Sequence, residues 1–311
     1  MAADISVLIP ARNEGPRLAE TILAVAQART TNARLEFVIA DDQSEDDTKG
    51  FLHAAADELR RQPRIDIKVS SLRKRQGVPR ARNHAASLAS GDVLFITDAH
   101  VRVSHGFDAL ILENVKPKRI VAGAITEANT PFVGYGCKLV VPFMGTYWNR
   151  DQLEAPVPVQ IAACPATALT RALFNELGGY DPGMLIYGAA EPEFSVRAWL
   201  HGAEIWIHPD LRVEHRFKPK VEREAFIGDA RPYMVHNSLR FGLMYLSENG
   251  CMQLLRYQAR KFPTLFDRAI RMVEASNVWE RRAWLELQRR RPFEWFVQRF
   301  KLKNQIGGEI L

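Results

Sequence analysis

The chain has 311 residues, of which 47% are hydrophobic and 25% charged, and its formal net charge is +6 at pH 7. These proportions exclude a disordered chain, and the length suits one large domain with an appended subdomain or two small domains. The basic balance favours anionic partners such as nucleotides, nucleic acid or acidic lipid, without choosing among them.

Cys137, Cys164 and Cys251 are scattered and form no CxxC pattern, so they read as reduced thiols rather than a disulfide framework. No basic stretch followed by an apolar run opens the chain, which makes a cytoplasmic location the expectation. No window approaches the roughly 20 apolar residues of a spanning helix, so any membrane contact is expected to be peripheral.

The first half alternates strand and helix signals. "ISVLIP" is a continuous apolar run, as in a strand covered on both faces. After "ARNEG", the segment "PRLAETILAVAQA" predicts a helix, with Pro16 in its first turn and Leu18, Ile22 and Val25 at helical spacing. "LEFVIA" is the next strand, followed by acidic "DDQSEDDT" and the helix "KGFLHAAADELRR". "IDIKVSS", the basic turn "LRKRQGVPR", the helix "ARNHAASLA" and the strand "DVLFIT" continue the series. Such alternation predicts a mostly parallel sheet flanked by helices, with ligands at the carboxyl ends of the strands. Asp42, Asp98 and Pro10 all fall at such ends.

From about residue 115 the pattern loosens into "GYGCKLVVPFMGTYWNRDQLEAPVPV", read as an irregular lid or acceptor wall. "EPEFSVRAWLHG" predicts a helix closed by Gly202, and "AEIWIHP" a strand. The organisation predicts a catalytic domain over 1–225 and a helical extension over 226–311. Trp279, Trp284, Trp295 and Phe296 lie there among arginines. They are expected to pack against the catalytic domain with the arginines solvated; the same composition also suits contact with an anionic membrane surface or with nucleic acid.

Asp98 and His100 form an Asp-x-His pair, and on an extended strand residues two apart share a face. One carboxylate and one imidazole suit manganese, cobalt or zinc better than calcium. A turn-capping aspartate beside a surface histidine would look the same, so the distant segments decide. "GVPRARNHAASLASG" precedes the pair, and "GGYDPGMLIYGAAEPEFSVRAWLHGAEIWIHPDLRVEHRFK" follows much later. Together these blocks, over roughly residues 4–245, resemble the glycosyltransferases of GT-A fold, the GT2-like enzymes and the related polypeptide N-acetylgalactosaminyltransferases.

The resemblance implies a GT-A (Rossmann-like) catalytic domain and a divalent cation, usually manganese with magnesium or cobalt as alternatives, held by Asp98, His100 and His215. That cation would offset the charge of a departing UDP as the glycosidic bond breaks. The family's arginine after the distal histidine is here Lys218, which supplies a compact charge in place of a fork. Pro10, Arg12 and Glu14 in "VLIPARNE" match the nucleoside pocket, and Asp42 in "FVIADD" the carboxylate that binds uracil. Arg75 in "RQGVPRAR" matches an arginine near the nucleotide, with Arg80 and Arg82 as neighbours. Asp41 reads as a turn residue. His236 and Asn237 resemble a segment that closes over the donor.

"YGAAEPEFSVRAW" departs from the family pattern. Ala190 stands where the first acid belongs, Glu191 at the Asp/Asn position, and Tyr187 in place of a tryptophan. Glu191 is therefore the first candidate general base, which gives inversion, and Glu193 the second; a Glu191 that only positions sugar or acceptor instead gives retention, as in the polypeptide transferases. The implied reaction moves a sugar from a UDP-sugar to a hydroxyl or thiol acceptor, such as a peptide side chain, a saccharide or a small molecule, with no nucleic-acid partner. The competing readings are a nucleotidyltransferase of related fold and a non-catalytic basic adaptor. The first would carry a glycine-rich phosphate loop after the first strand, of which "IPARNEGPR" has only a trace.

Overall fold

The computed structural model describes residues 4–307 and Ile310. The outermost residues of both expected domains, 1–3, 308, 309 and 311, lie outside the described residues. The chain opens with β1 (Ile5–Ala11), α1 (Pro16–Ala28), β2 (Leu35–Asp41), α2 (Thr48–Leu59), β3 (Ile65–Ser71), α3 (Val78–Leu88) and β4 (Val93–Ile96). β1 pairs in parallel with both β2 and β4, and β2 with β3. β1 and β2 are buried along almost their whole length, which is why they read as unbroken apolar runs. β3, at the sheet edge, is only partly buried.

β5 (Val101–Val103), α4 (Phe107–Asn114), β6 (Arg119–Thr126) and β7 (Val133–Gly134) follow. β8 (Cys137–Val140) and β9 (Gly145–Trp148) form a separate hairpin, so the expected irregular wall is partly regular. After β10 (Val157–Pro158) come β11 (Thr167–Thr170), α5 (Arg171–Glu176), α6 (Ala190–Leu200) and β12 (Glu204–His215). Among the described residues the main sheet has ten strands, with the path β10-β12-β6-β11-β4-β1-β2-β3. Its parallel character holds from β3 to β4, is broken at β11 and resumes between β6 and β12. β11 runs antiparallel to both β4 and β6, because the connection from β6 carries no crossover helix of the kind that returns a chain in parallel.

The tail comprises α7 (Lys220–Tyr245), α8 (Glu248–Lys261), α9 (Pro263–Glu274), α10 (Val278–Gln288) and α11 (Phe293–Phe300). The boundary expected at 225/226 falls inside α7. Phe241, Phe293 and Phe296 share one core with Leu8, Leu94 and Trp199, so the extension is continuous with the catalytic layer. Trp295 and Phe300 pack on Trp199 at ring-centre distances of 6.0 and 5.2 Å. Arg281 and Arg291 lie over Trp284 and Trp295, while Trp279 is exposed. Among the described residues, no helix is long and apolar enough to cross a membrane.

One buried ion pair joins the tail to the connection between α5 and α6. Arg240 of α7 donates to both oxygens of Asp181 at 2.7 and 3.1 Å, with both side chains wholly buried. The same guanidinium reaches Ser276 and Asn277 between α9 and α10. Burial alone would raise the Asp181 carboxyl, but the hydrogen bond and charge of Arg240, aided by Arg281, hold it below the ordinary value of 3.8. Truncating one partner strands a buried charge, so Arg240→Met is expected to cost about 3–5 kcal/mol in urea unfolding. The wild-type pair stabilises fully above the ordinary aspartate pKa and loses that contribution as pH falls through the lowered one. Arg240→Met should therefore flatten the stability profile on the acid side, read as unfolding midpoints below pH 4.

Candidate active site

β4 ends at Ile96, and the chain bends before β5 begins at Val101. Asp98 and His100 occupy that bend. The expectation that an extended strand aligns them is corrected: the turn between two strands does so. β5 then pairs antiparallel with the last residues of β12, His215 opposite Val101, and Arg216 N donates to His100 O at 3.0 Å. This ladder carries a histidine from the far end of the domain to the Asp-x-His bend.

The ligand atoms of Asp98, His100 and His215 lie within 4.8 Å of one another. His215 Nε2 is 3.4 Å from Asp98 Oδ2, and the two imidazole rings meet edge-on at 4.8 Å. The Nδ1 of His215 is buried without a hydrogen-bond partner. His100 Nδ1 pairs with Glu14 Oε2 at 2.9 Å, which leaves Nε2 for a cation. A carboxylate on the outer nitrogen is the usual way a protein orients a metal-binding imidazole. Glu14, expected in the nucleoside pocket, lies against His100, and Lys218 Nζ stands 3.7 Å from its other oxygen. Burial would raise the Asp98 carboxyl, but the hydrogen bond to His215 and the charge of Arg82 hold it well below the ordinary range. An ionised carboxylate with two imidazoles fits a borderline divalent ion.

The triad opens on a cleft of about 1190 Å³. Pro10, Arg12, Glu14, Asp42, Arg75, Arg82, Lys218 and the triad line it, as does Glu191; Arg80 and Glu193 do not. Asp42 accepts from the backbone N–H of Gln76 at 2.6 Å and of Gly77 at 2.8 Å, and its burial raises its pKa despite these bonds. Arg12 is spent on the same rim, donating to the carbonyls of Asp42 and Gln43 and to Glu45. Asp41 turns away to Ser44, Ser71 and Lys49. Arg80 donates to Pro182 O.

Glu193 is corrected as a catalytic candidate. It is wholly buried, with its oxygens taken by Arg197 at 2.9 and 2.8 Å and by Tyr245 at 2.8 Å. Glu191, two residues earlier, is 24% exposed at the cleft wall and accepts from Arg82 Nη1 at 2.6 Å. Arg82, expected beside the nucleotide, is 2% exposed and also donates to Asp98 Oδ1 at 3.1 Å.

The segment before Glu191 is held in unusual backbone geometry. Ile186 and Ala189 have φ of 46° and 60°, and a β-branched residue there is a steric outlier. Two contacts sustain it. Val78 N donates to Ile186 O at 2.8 Å beside Gly77, where an added Cβ would come 2.1 Å from Ile186 Cα. From α7, Asn237 Nδ2 donates to the carbonyls of Leu185, Tyr187 and Gly188. His236 and Asn237 thus belong to a buried helix, not to a closing loop. Tyr187 in turn packs edge-on against Phe226 at 4.9 Å.

A family model described as "Glycosyl transferase family 2" matches residues 6–178. The chain belongs to that family. It is 30% identical over 284 residues to "Inactive polypeptide N-acetylgalactosaminyltransferase-like protein 5" of Macaca fascicularis, covering 84% of this chain and 59% of that protein. It is 28% identical over 338 residues to "Polypeptide N-acetylgalactosaminyltransferase 11" of Xenopus tropicalis, covering 97% of this chain and 51% of the relative. The chain thus spans somewhat over half the length of these relatives. Among solved structures it resembles "GalNAc-T7 with UDP, GalNAc and Mn2+" at TM-score 0.74 and 22% identity, covering 96% of this chain and 57% of that one. A mannosyltransferase of Pyrobaculum calidifontis with GDP-Man and Mn2+ follows at TM-score 0.55 and 18% identity, covering 92% of this chain and 74% of that one. These likenesses show the GT-A fold.

Because Glu14 orients His100 without itself ligating, Glu14→Gln should leave the fold intact and weaken Mn2+ binding about 10–100-fold. Titration of free Mn2+ by electron paramagnetic resonance reads this without any donor; unchanged affinity would remove Glu14 from the metal site.

Proposed function

We propose that the chain is a metal-dependent glycosyltransferase that moves a sugar from a UDP-sugar to a hydroxyl acceptor, a peptide side chain first among them. The observation that carries this reading is the convergence of Asp98, His100 and His215 on one rim of a large cleft. The family membership and the names of the relatives support the donor and acceptor classes. Asp98, His100 and His215 would hold a divalent cation, manganese with magnesium or cobalt as alternatives, and that cation would offset the charge of the diphosphate.

The chain's own residues do the rest. Asp42, which lines the cleft, accepts from the uracil edge, and Lys218, beside Glu14, is a further positive charge for the diphosphate. Glu191 takes the acceptor's hydroxyl proton on its Oε2 as the acceptor oxygen bonds to the anomeric carbon. The bond from that carbon to the diphosphate breaks with its electron pair, and UDP leaves. A single displacement of this kind inverts configuration. Ala190, where the family's first acid would stand, is 2% exposed and offers no titrating group.

A second reading, a non-catalytic member of the family, draws on that alanine and on the relative named inactive. Incubation with Mn2+ and a panel of nucleotide sugars separates the two. Release of UDP that EDTA abolishes is expected, and it identifies the donor. Glu191→Gln should lower transfer about 10²–10⁴-fold with donor affinity retained. A protein that binds no nucleotide sugar, or a Glu191→Gln variant with full turnover, would contradict the transferase reading or the base assignment respectively.

A further inference from the structure

We propose that Arg82 is a positioning residue that ties the metal site to Glu191 through one buried guanidinium. The inference rests on the reading of Glu191 as the base and deepens it. Arg82 sits on α3 beneath the cleft, 2% exposed. Its Nη2 donates to Asp98 Oδ1 at 3.1 Å and its Nη1 to Glu191 Oε1 at 2.6 Å. Behind it the Tyr180 ring lies 5.4 Å from the guanidinium carbon. Tyr180 is itself fixed to α3 by paired backbone hydrogen bonds with Asn83.

The geometry divides each carboxylate into a structural and a working oxygen. Asp98 gives Oδ1 to Arg82 and turns Oδ2 toward His215 at 3.4 Å. Glu191 gives Oε1 to Arg82, which leaves Oε2 for an acceptor. A guanidinium is planar and permanently charged, so both carboxylates are held at a set separation in a common frame. Without it, two like charges on a half-buried wall would repel each other and swing apart. A lysine keeps the charge but presents a single compact head, and cannot reproduce both directional contacts.

The test compares Arg82→Lys, Glu191→Gln and the double variant, each checked for fold by circular dichroism. Two readouts are used: Mn2+ affinity of the donor-free protein, and kcat against KM for UDP release to acceptor. Arg82→Lys is expected to weaken Mn2+ binding and lower kcat, each about 10-fold or more, as loss of an outer-shell partner does, with KM for donor changed little. In the Glu191→Gln background the same substitution should lower kcat no further, because residues acting as a unit are not additive. Multiplicative losses in the double variant, or unchanged Mn2+ affinity and kcat in Arg82→Lys, would overturn the proposal. Should Arg82→Lys not fold, Glu191→Asp replaces it: the shortened carboxylate draws back from Arg82, and full kcat there would equally overturn it. If Glu191→Gln alone keeps full turnover, the base assignment fails. The Arg82 proposal then stands or falls on the Mn2+ affinity of Arg82→Lys.

Discussion

The site depends on one short antiparallel ladder. β5 is brief and would carry little stability alone, yet it clasps the last residues of β12 and sets His215 opposite Val101. Because register in a sheet moves side chains between faces in single-residue steps, a slip of one residue would turn His215 away from Asp98. β12 itself is fixed by its long parallel pairing with β6, interrupted by an irregularity between His208 and Arg212. That irregularity lets a strand that starts in the sheet's interior end at the cleft, in keeping with bulges that re-aim side chains near active sites.

Around this ladder the charges follow a consistent order. Arg82 bridges Asp98 of the triad and Glu191, and among the described residues no buried carboxylate oxygen lacks a partner. Glu14 shows the same economy, with one oxygen on His100 and the other facing Lys218. Buried charges persist only when paired, and here the pairing also fixes directions. The tail contributes in the same way. Arg240 secures Asp181, and Asn237 on the same helix secures the strained segment that leads to Glu191. The helical extension is therefore a wall of the active site's foundation, although its outer face carries exposed arginines and Trp279.

Much of this was legible in the chain. Strands covered on both faces must be continuously apolar, so β1, β2 and β4 declared themselves. The Asp-x-His bend and the distal histidine were readable because metal ligation restricts residue type. Other features left no local trace. "HPD" reads as the end of a strand, yet β12 continues through Pro209 and Asp210 to His215, its burial still alternating. The antiparallel entry of β11 depends on a connection without a helix, and hairpin and turn sequences do not announce which strand they will join. Glu14, Arg82 and Asn237 are polar residues with distant partners, and a polar residue's partner is a tertiary fact. The start of α7 at Lys220 was hidden by its exposed, charged first turns, which resemble a linker.

The choice between the two glutamates was decided by helical geometry. Glu191 and Glu193 lie in the first turn of α6, and residues two apart on a helix point about 200° from each other. Only one can face a cleft that lies on one side. α6 is buried along nearly its whole length, so the other must enter the core and requires a partner there. Arg197, four residues on, lies on the same face as Glu193 and supplies it, with Tyr245 of α7 completing the set. Glu191 is thereby left as the acidic side chain of that turn available to the cleft. Arg82 gives that side chain its direction.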